Sequence, residues 1–296
     1  MKGLMIDETP QKPAAVPKKA VVSIAGFKLR PGRLLAYLVV AILAALYLGP
    51  MLVLINTALK EPRQFLLDPA SITNSLFFKN FADAWVRAKF PIYIGNTLLY
   101  TIVSTFFYLF ITVFVAFPIA RKYVRGAQVI YLFYVLALFL PNNLIPQFQL
   151  MLRLGLYNTQ IGYILLTLTG GLGPLILVGY IQTIPKELDE AAAMDGCGYI
   201  RYVFQIVLPL IKPAIITVML LQAIAIWNDL INPMIYLPSK IFYPVTRGLM
   251  TFYGQFSNDW TQLAAATIIM VAPMVLLFVL MQRFIVEGAM RGSLKM

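Results

Sequence analysis

The sequence predicts an all-α integral membrane fold: six transmembrane helices, a cytoplasmic two-helix loop between the fourth and fifth, and both termini in the cytoplasm (N-in/C-in). Three observations carry that expectation. Of 296 residues, 60% are hydrophobic and 12% charged. Soluble globular domains run at about 45–50% and about 25%, so the composition, with a mean hydropathy of +0.79, excludes a water-soluble enzyme. The apolar residues gather into six runs, at 34–59, 93–120, 127–151, 161–183, 212–237 and 262–285. Finally, 24 Lys and Arg outnumber 12 Asp and Glu, and they are distributed unevenly around those runs.

Residues 1–33 are polar, rich in Pro and Lys, and read as a basic cytoplasmic arm. The arm is too long and too interrupted by proline for the start of a cleaved leader. The runs that follow are 23 to 28 residues long. As helices they reach about 35–42 Å, enough to cross a hydrocarbon core of about 30 Å with tilt. Backbone polar groups in lipid must be satisfied within the segment, which makes these runs helices. With the N-terminus inside, segments 1–33, 121–126, 184–212 and 283–296 hold 16 Lys and Arg, and the outer loops 60–92, 152–160 and 238–261 hold 8. That is the positive-inside asymmetry, and it accounts for the net charge of +12 without a nucleic-acid partner. Arg121, Lys122 and Arg125, with no acid beside them, are its clearest local sign. The chain thus divides into the arm 1–33, a membrane domain 34–285 containing the loop 184–212, and a cytoplasmic tail 286–296.

Three runs are interrupted. Pro141 and Pro146 bracket Asn142, Asn143 and Gln147 in the third; Gly170, Gly171, Gly173 and Pro174 punctuate the fourth; Trp227, Asn228, Asp229, Asn232 and Pro233 mark the fifth. Such breaks survive in a membrane where protein or a water-lined cavity satisfies the freed backbone. Helix packing by small residues and proline kinks is the alternative origin, and it is preferred for the fourth run. Amides in the third and fifth offer the donors and acceptors that hydroxyl groups require. The solute-path candidates are therefore Asn142, Asn143, Gln147, Trp227, Asn228, Asp229 and Asn232. Asp229 is the carboxylate well inside a run, where a charge costs roughly 2.5–3.5 kcal/mol. It either meets solute or a gate, or accepts hydrogen bonds that hold the break at Pro233. Trp227, like Tyr93, Tyr131 and Tyr134, is suited either to stacking on a ring or to anchoring at an interface. The aromatic outer loops 60–92 and 238–261 fit a landing surface for a solute-binding protein or interfacial helices.

The segment Ile184–Pro209 predicts two helices. Pro185 suits a first helical position, Glu187, Asp189 and Glu190 favour the positive end of the helix dipole, and Gly196 and Gly198 permit a sharp turn after the alanines. A second helix from about 199 ends at Pro209. The loop has four acids against Lys186 and Arg201 before Lys212. An interfacial helix on anionic lipid would want a basic face, so docking on a protein accounts better for it.

Glu190-Ala191-Ala192, three residues, Gly196, nine residues, Ile206, one residue, then Leu208-Pro209 resembles the EAA loop of membrane permeases in binding-protein-dependent ABC importers, with all seven signature residues in place. Leu140-Pro141-Asn142-Asn143-Leu144-Ile145-Pro146, Leu154 to Thr159, Trp227-Asn228-Asp229 and Gln282 to Gly288 are similar to the smaller permease subunit of the maltose-type carbohydrate class. The resemblance implies a bacterial inner-membrane, multi-pass subunit whose loop is a coupling helix, with Glu190, Ala191, Ala192, Gly196, Ile206, Leu208 and Pro209 docking on an ATPase. It implies a second homologous permease subunit, two ATP-binding cassette subunits carrying ATP-Mg, an extracytoplasmic solute-binding protein, and a carbohydrate substrate. It also implies a tail that reaches the ATPases.

No Gly-x-x-x-x-Gly-Lys-Ser/Thr phosphate loop occurs, so the chain itself carries no cofactor and no ATPase chemistry. Histidine is absent and Cys197 is the single cysteine, which removes the usual proton relay and metal ligands. A non-enzymatic permease half is the leading reading. A non-sugar solute (a polyol or glycerol-phosphate) and a secondary carrier are the alternatives, the latter disfavoured by the scarcity of ionisable groups inside the runs.

Overall fold

A computed structural model of the chain describes residues 22–24, 27–29, 31–140, 143–253 and 259–293. The chain divides into two compact units, Met1–Val53 and Leu54–Met296. In the first, strands β1 (Val22–Ile24) and β2 (Phe27–Leu29) pair antiparallel, with Val22 opposite Leu29 and Ile24 opposite Phe27. Outside this short pair, the regular structure of the described residues is all helical, in line with the all-α expectation. Val22, Ile24 and Phe27 favour extended backbone. Helix α1 (Pro31–Leu59) starts on a proline, whose missing N–H is harmless in the first turn, and covers the first predicted run.

The second unit continues with α2 (Pro62–Leu67), α3 (Lys79–Arg87), α4 (Phe90–Arg121), α5 (Ala127–Ala137), α6 (Leu144–Arg153), α7 (Gln160–Thr167) and α8 (Gly173–Gln182). Then come α9 (Glu187–Met194), α10 (Tyr199–Tyr202), a π-helical turn Val203–Val207, α11 (Leu208–Leu210), α12 (Lys212–Trp227), α13 (Ile231–Tyr236), α14 (Val245–Gly248) and α15 (Trp260–Ser293). Among the described residues, three helices are long and apolar enough to cross a membrane: Arg33–Leu59, Phe90–Arg121 and Trp260–Gln282. The other three predicted runs each fall into two shorter helices. In the fourth, Gly170 and Gly171 both take the left-handed conformation, at φ +84° and +81°, which side chains resist and glycine does not. The last helix runs on past residue 285 to Ser293.

Helix α4 is the centre of the second unit. Its C-terminal half packs Val113, Ala116, Phe117 and Ala120 against Leu177, Val178 and Ile181 of α8 and against Val203, Val207, Ile211 and Val218. Its N-terminal end joins Phe90 and Tyr93 to Trp227, Val245, Phe252 and Leu263–Ala266. Ala84, Ala88 and Ala264–Ala266 let α3 and α15 approach closely, the packing that substitutes for a hydrophobic driving force in lipid. Beside them, Lys60 is fully buried and donates to the carbonyls of Asp68, Pro69 and Ser71 at 3.2, 3.0 and 2.5 Å. Those carbonyls replace the water its charge has lost. Arg87 bridges Asp259 at 3.0 Å, tying the 60–92 and 238–261 segments together.

Candidate functional site

The three broken runs meet around one cleft. It has a volume of about 420 Å³ and is lined by Asn143, Gln147, Leu166, Thr167, Thr169, Gly171, Gln222, Ala225, Ile226, Asp229 and Asn232. Asn143, Gln147, Asp229 and Asn232, four of the seven sequence candidates, are thus brought together. Asn142 lies outside the described residues. Trp227 and Asn228 do not line the cleft. Trp227 is buried and donates its indole N–H to the Met270 carbonyl at 3.1 Å, while the Asn228 amide turns back to the Ile224 carbonyl at 3.0 Å.

Each lining side chain is held by a neighbouring element. The Tyr236 hydroxyl is shared between the Gln147 side-chain oxygen at 3.2 Å and the Leu144 carbonyl at 3.3 Å, fixing α6 to α13. Gln222 donates Nε2 to the Thr167 carbonyl at 2.7 Å, satisfying the frayed end of α7 from α12. Asp229 Oδ2 accepts from the Tyr163 hydroxyl at 2.9 Å and from Asn232 Nδ2 at 3.0 Å, and Oδ1 accepts from the Asn232 backbone N–H at 3.2 Å. Its own carbonyl accepts from Thr246 at 2.7 Å. Asp229 therefore organises the break before α13 while also lining the cleft. Sequence reasoning missed Gln222, Thr167, Thr169 and Gly171. A lone glutamine inside the apolar run 212–237 was the available signal, without a proline or glycine beside it to draw attention.

The loop between α8 and α12 is built on a second polar centre. Helix α9 begins at Glu187, two residues after Pro185, with Glu187, Asp189 and Glu190 in its first turn. Just before it, the Ile184 carbonyl accepts from the Arg121 guanidinium at 2.9 Å. Arg121 also grips Asp189, with Nε 2.7 Å from Oδ2 and Nη2 3.0 Å from Oδ1. The two side chains are 2% and 11% exposed; the Nη2 contact is a charge-assisted hydrogen bond, while Nε approaches the carboxylate as a charge contact without hydrogen-bond geometry. Tyr202 and Tyr123 donate their hydroxyls to the same carboxylate. Burial, reinforced by the hydrogen bond to Asp189, pushes the Tyr202 hydroxyl up to about 12; Tyr123 shifts upward for the same reasons.

At the end of α9, Gly196 is left-handed at φ +70°. The Cys197 N–H donates to the Ala192 carbonyl at 2.9 Å and the Gly196 N–H to that of Ala193 at 3.1 Å, the Schellman pattern that closes a helix on glycine. Gly198, by contrast, is extended at φ −66° and makes no use of its freedom. Ala192 is buried, while Glu190, Ala191 and Gly196 stay exposed. Ile206 and Leu208 pack partly buried against the α4–α8 core. The second helix continues through Pro209 to Leu210, one residue beyond the sequence expectation, with the Leu208 N–H reaching back to the Val203 carbonyl. The path then bends by 81° into α12.

A family profile described as "Binding-protein-dependent transport system inner membrane component" matches residues 90–290, and the chain belongs to that family. It is a multi-pass inner-membrane permease subunit of an ABC transporter, a component without enzymatic chemistry. The chain is 30% identical over 271 residues to the melibiose/raffinose/stachyose import permease MelC of Bacillus subtilis, covering 87% of this chain and 95% of that one. It is 28% identical over 232 residues to the arabinooligosaccharide transport permease AraQ of Halalkalibacterium halodurans, covering 78% and 82%. The fold matches a chain from the crystal structure of a bacterial ABC transporter involved in the import of the acidic polysaccharide alginate. That match has a TM-score of 0.78 and 20% identity, over 87% of this chain and 98% of that one.

Proposed function

We propose that the chain forms half of the translocation path of an importer for a neutral sugar or oligosaccharide. A solute-binding protein delivers the solute, a second homologous permease subunit supplies the other half of the path, and two cytosolic ATPases drive it through the loop Glu190–Pro209. In this reading six spans place both termini in the cytoplasm, with each broken helix pair counting as one span. Glu190, Ala191, Ala192 and Gly196 present the docking face, and Ile206, Leu208 and Pro209 hold it against the membrane domain.

The observation that carries the substrate reading is the donor set of the cleft. Asn143, Gln147, Gln222, Asn232, Thr167 and Thr169 are neutral, and the one charge among the lining residues is Asp229. Amides and hydroxyls match sugar hydroxyls in both directions, and a cleft without a cation gives an anionic saccharide nothing to pair with. The named substrates of the two relatives belong to the same chemical class.

The test is uptake into proteoliposomes holding the complete importer and its binding protein, with raffinose, maltotriose, arabinotriose and glycerol-3-phosphate as probes. We expect ATP-dependent accumulation of a neutral oligosaccharide, lowered about tenfold by Asn143→Ala, the loss of about one buried hydrogen bond. Accumulation of glycerol-3-phosphate alone would overturn the substrate class.

A further inference from the structure

The loop centre and the cleft lie at opposite ends of one packed unit. Arg121 occupies the last position of α4, and Tyr108 lies thirteen residues earlier on the same helix, about 20 Å away at about 1.5 Å per residue. Between them α4 packs continuously on α8 through Val113, Ala116, Phe117 and Ala120. At the far end the Tyr108 hydroxyl donates to the Gly170 carbonyl at 3.1 Å and accepts from the Gly173 N–H at 3.1 Å. It is thereby stitched across the glycine break whose Thr169 and Gly171 line the cleft. The fit leaves no slack. A Cβ on Gly173 would lie 2.5 Å from the Tyr108 oxygen and 2.9 Å from Val218 Cγ1, and one on Gly171 would lie 2.6 Å from that oxygen.

We infer that Arg121 and Tyr108 are positioning residues at the two ends of a rigid α4–α8 pair that carries displacement of the loop to the Thr169–Gly171 wall of the cleft. At one end Arg121 holds both helices of the loop, α9 through Asp189 and α10 through the Tyr202 hydroxyl on that same carboxylate. At the other, Tyr108 fixes the break in place of the backbone hydrogen bonds that Gly170 and Gly171 interrupt. A packed interior is bistable rather than soft, so a shift at one end arrives at the other as a change of position. The inference rests on the ATP-driven import proposed above.

The experiment uses the complete importer with its binding protein in proteoliposomes, reading solute imported per ATP hydrolysed. Tyr108→Phe keeps the ring and its packing and removes both hydrogen bonds. The complex should still assemble and hydrolyse ATP, while the yield per ATP falls about tenfold, within the usual range of a coupling energy. Adding Asp189→Asn should lower the yield no further than the worse single variant, because both cut one linkage. A second readout covers poor assembly of either variant. In a Cys197→Ala background, the reactivity of Thr169→Cys toward a charged thiol reagent should change on ATP with vanadate, and that change should vanish with Arg121→Lys. An unchanged yield per ATP in Tyr108→Phe, multiplying losses in the double variant, or an ATP response at Thr169→Cys that persists with Arg121→Lys each overturns the linkage alone. An unmodified importer with no ATP-dependent uptake overturns the import reading, and the linkage with it.

Discussion

Two aspartates organise the polar structure of this chain, and they are answered in opposite ways. Asp189, in the loop, meets a buried guanidinium and two phenols. Asp229, at the cleft, meets a phenol, an amide and a backbone N–H, with no cation among its partners. At low dielectric an ion pair is rigid and intolerant of losing one member, which suits a joint that transmits force. Neutral donors hold a carboxylate in place without filling the site with counter-charge. On the proposed reading, the cleft thereby keeps its hydrogen-bonding surface open to an uncharged solute.

The comparison breaks most readily at the joint. Asp189→Asn leaves Arg121 buried and unpaired, and should lower the unfolding free energy of the assembled complex by about 3–5 kcal/mol, read as a loss of thermal stability in detergent. Replacing both partners by apolar residues, Arg121→Met with Asp189→Leu, should recover much of that stability while leaving transport uncoupled. Asp229→Asn is the milder change. It puts an NH2 group against the Asn232 donors, costs about 1–3 kcal/mol locally, and should reduce uptake without changing ATPase binding. If the two asparagine variants lose equal stability, the contrast drawn here is wrong.

A smaller effect is expected at Gly196. A Cβ there meets nothing within 4 Å, so Gly196→Ala should cost only the left-handed backbone strain, about 1 kcal/mol, with weaker ATPase binding as the readout. The smallest concerns pH. The Tyr202 proton, held in the folded chain up to about 12, stabilises fully below the ordinary tyrosine range near 10, and that contribution is lost as pH rises from there toward 12. The stability Tyr202 contributes should therefore stay constant between about pH 6 and 9, and Tyr202→Phe should leave the slope of thermal stability against pH in that window unchanged.

Much of this was legible in the sequence because polar residues in lipid are costly. Asn143, Gln147, Asp229 and Asn232 stood out against apolar neighbours, and the structure places all four on one cleft. Asp189 was readable only as one acid in a run, since Glu187 and Glu190 beside it are solvent-facing and helix-dipole arguments treat the three alike. Arg121 was equally ambiguous, its charge absorbed by the positive-inside count. Their pairing spans 68 residues, a distance at which no local rule operates. The fourth run was read as tight packing by small residues. Its glycines do admit Tyr108 closely, but they also form a wall of the cleft, because the same break that admits a side chain on one side exposes backbone on the other.

The π-turn at Val203–Val207 has a consequence in terms of helical phase. One residue added to a turn without unwinding the helix rotates everything before it by about 100° relative to everything after. Tyr202 ends the segment before it, Val207 closes the turn and Ile211 follows, all three buried on the same core. Deleting one residue from Val203–Val207 would straighten the hydrogen-bond ladder and swing Tyr202 off Asp189. An insertion of the kind normally regarded as a defect is here the gear tooth that lets a loop helix and a membrane helix, each with its own required face, share one continuous backbone.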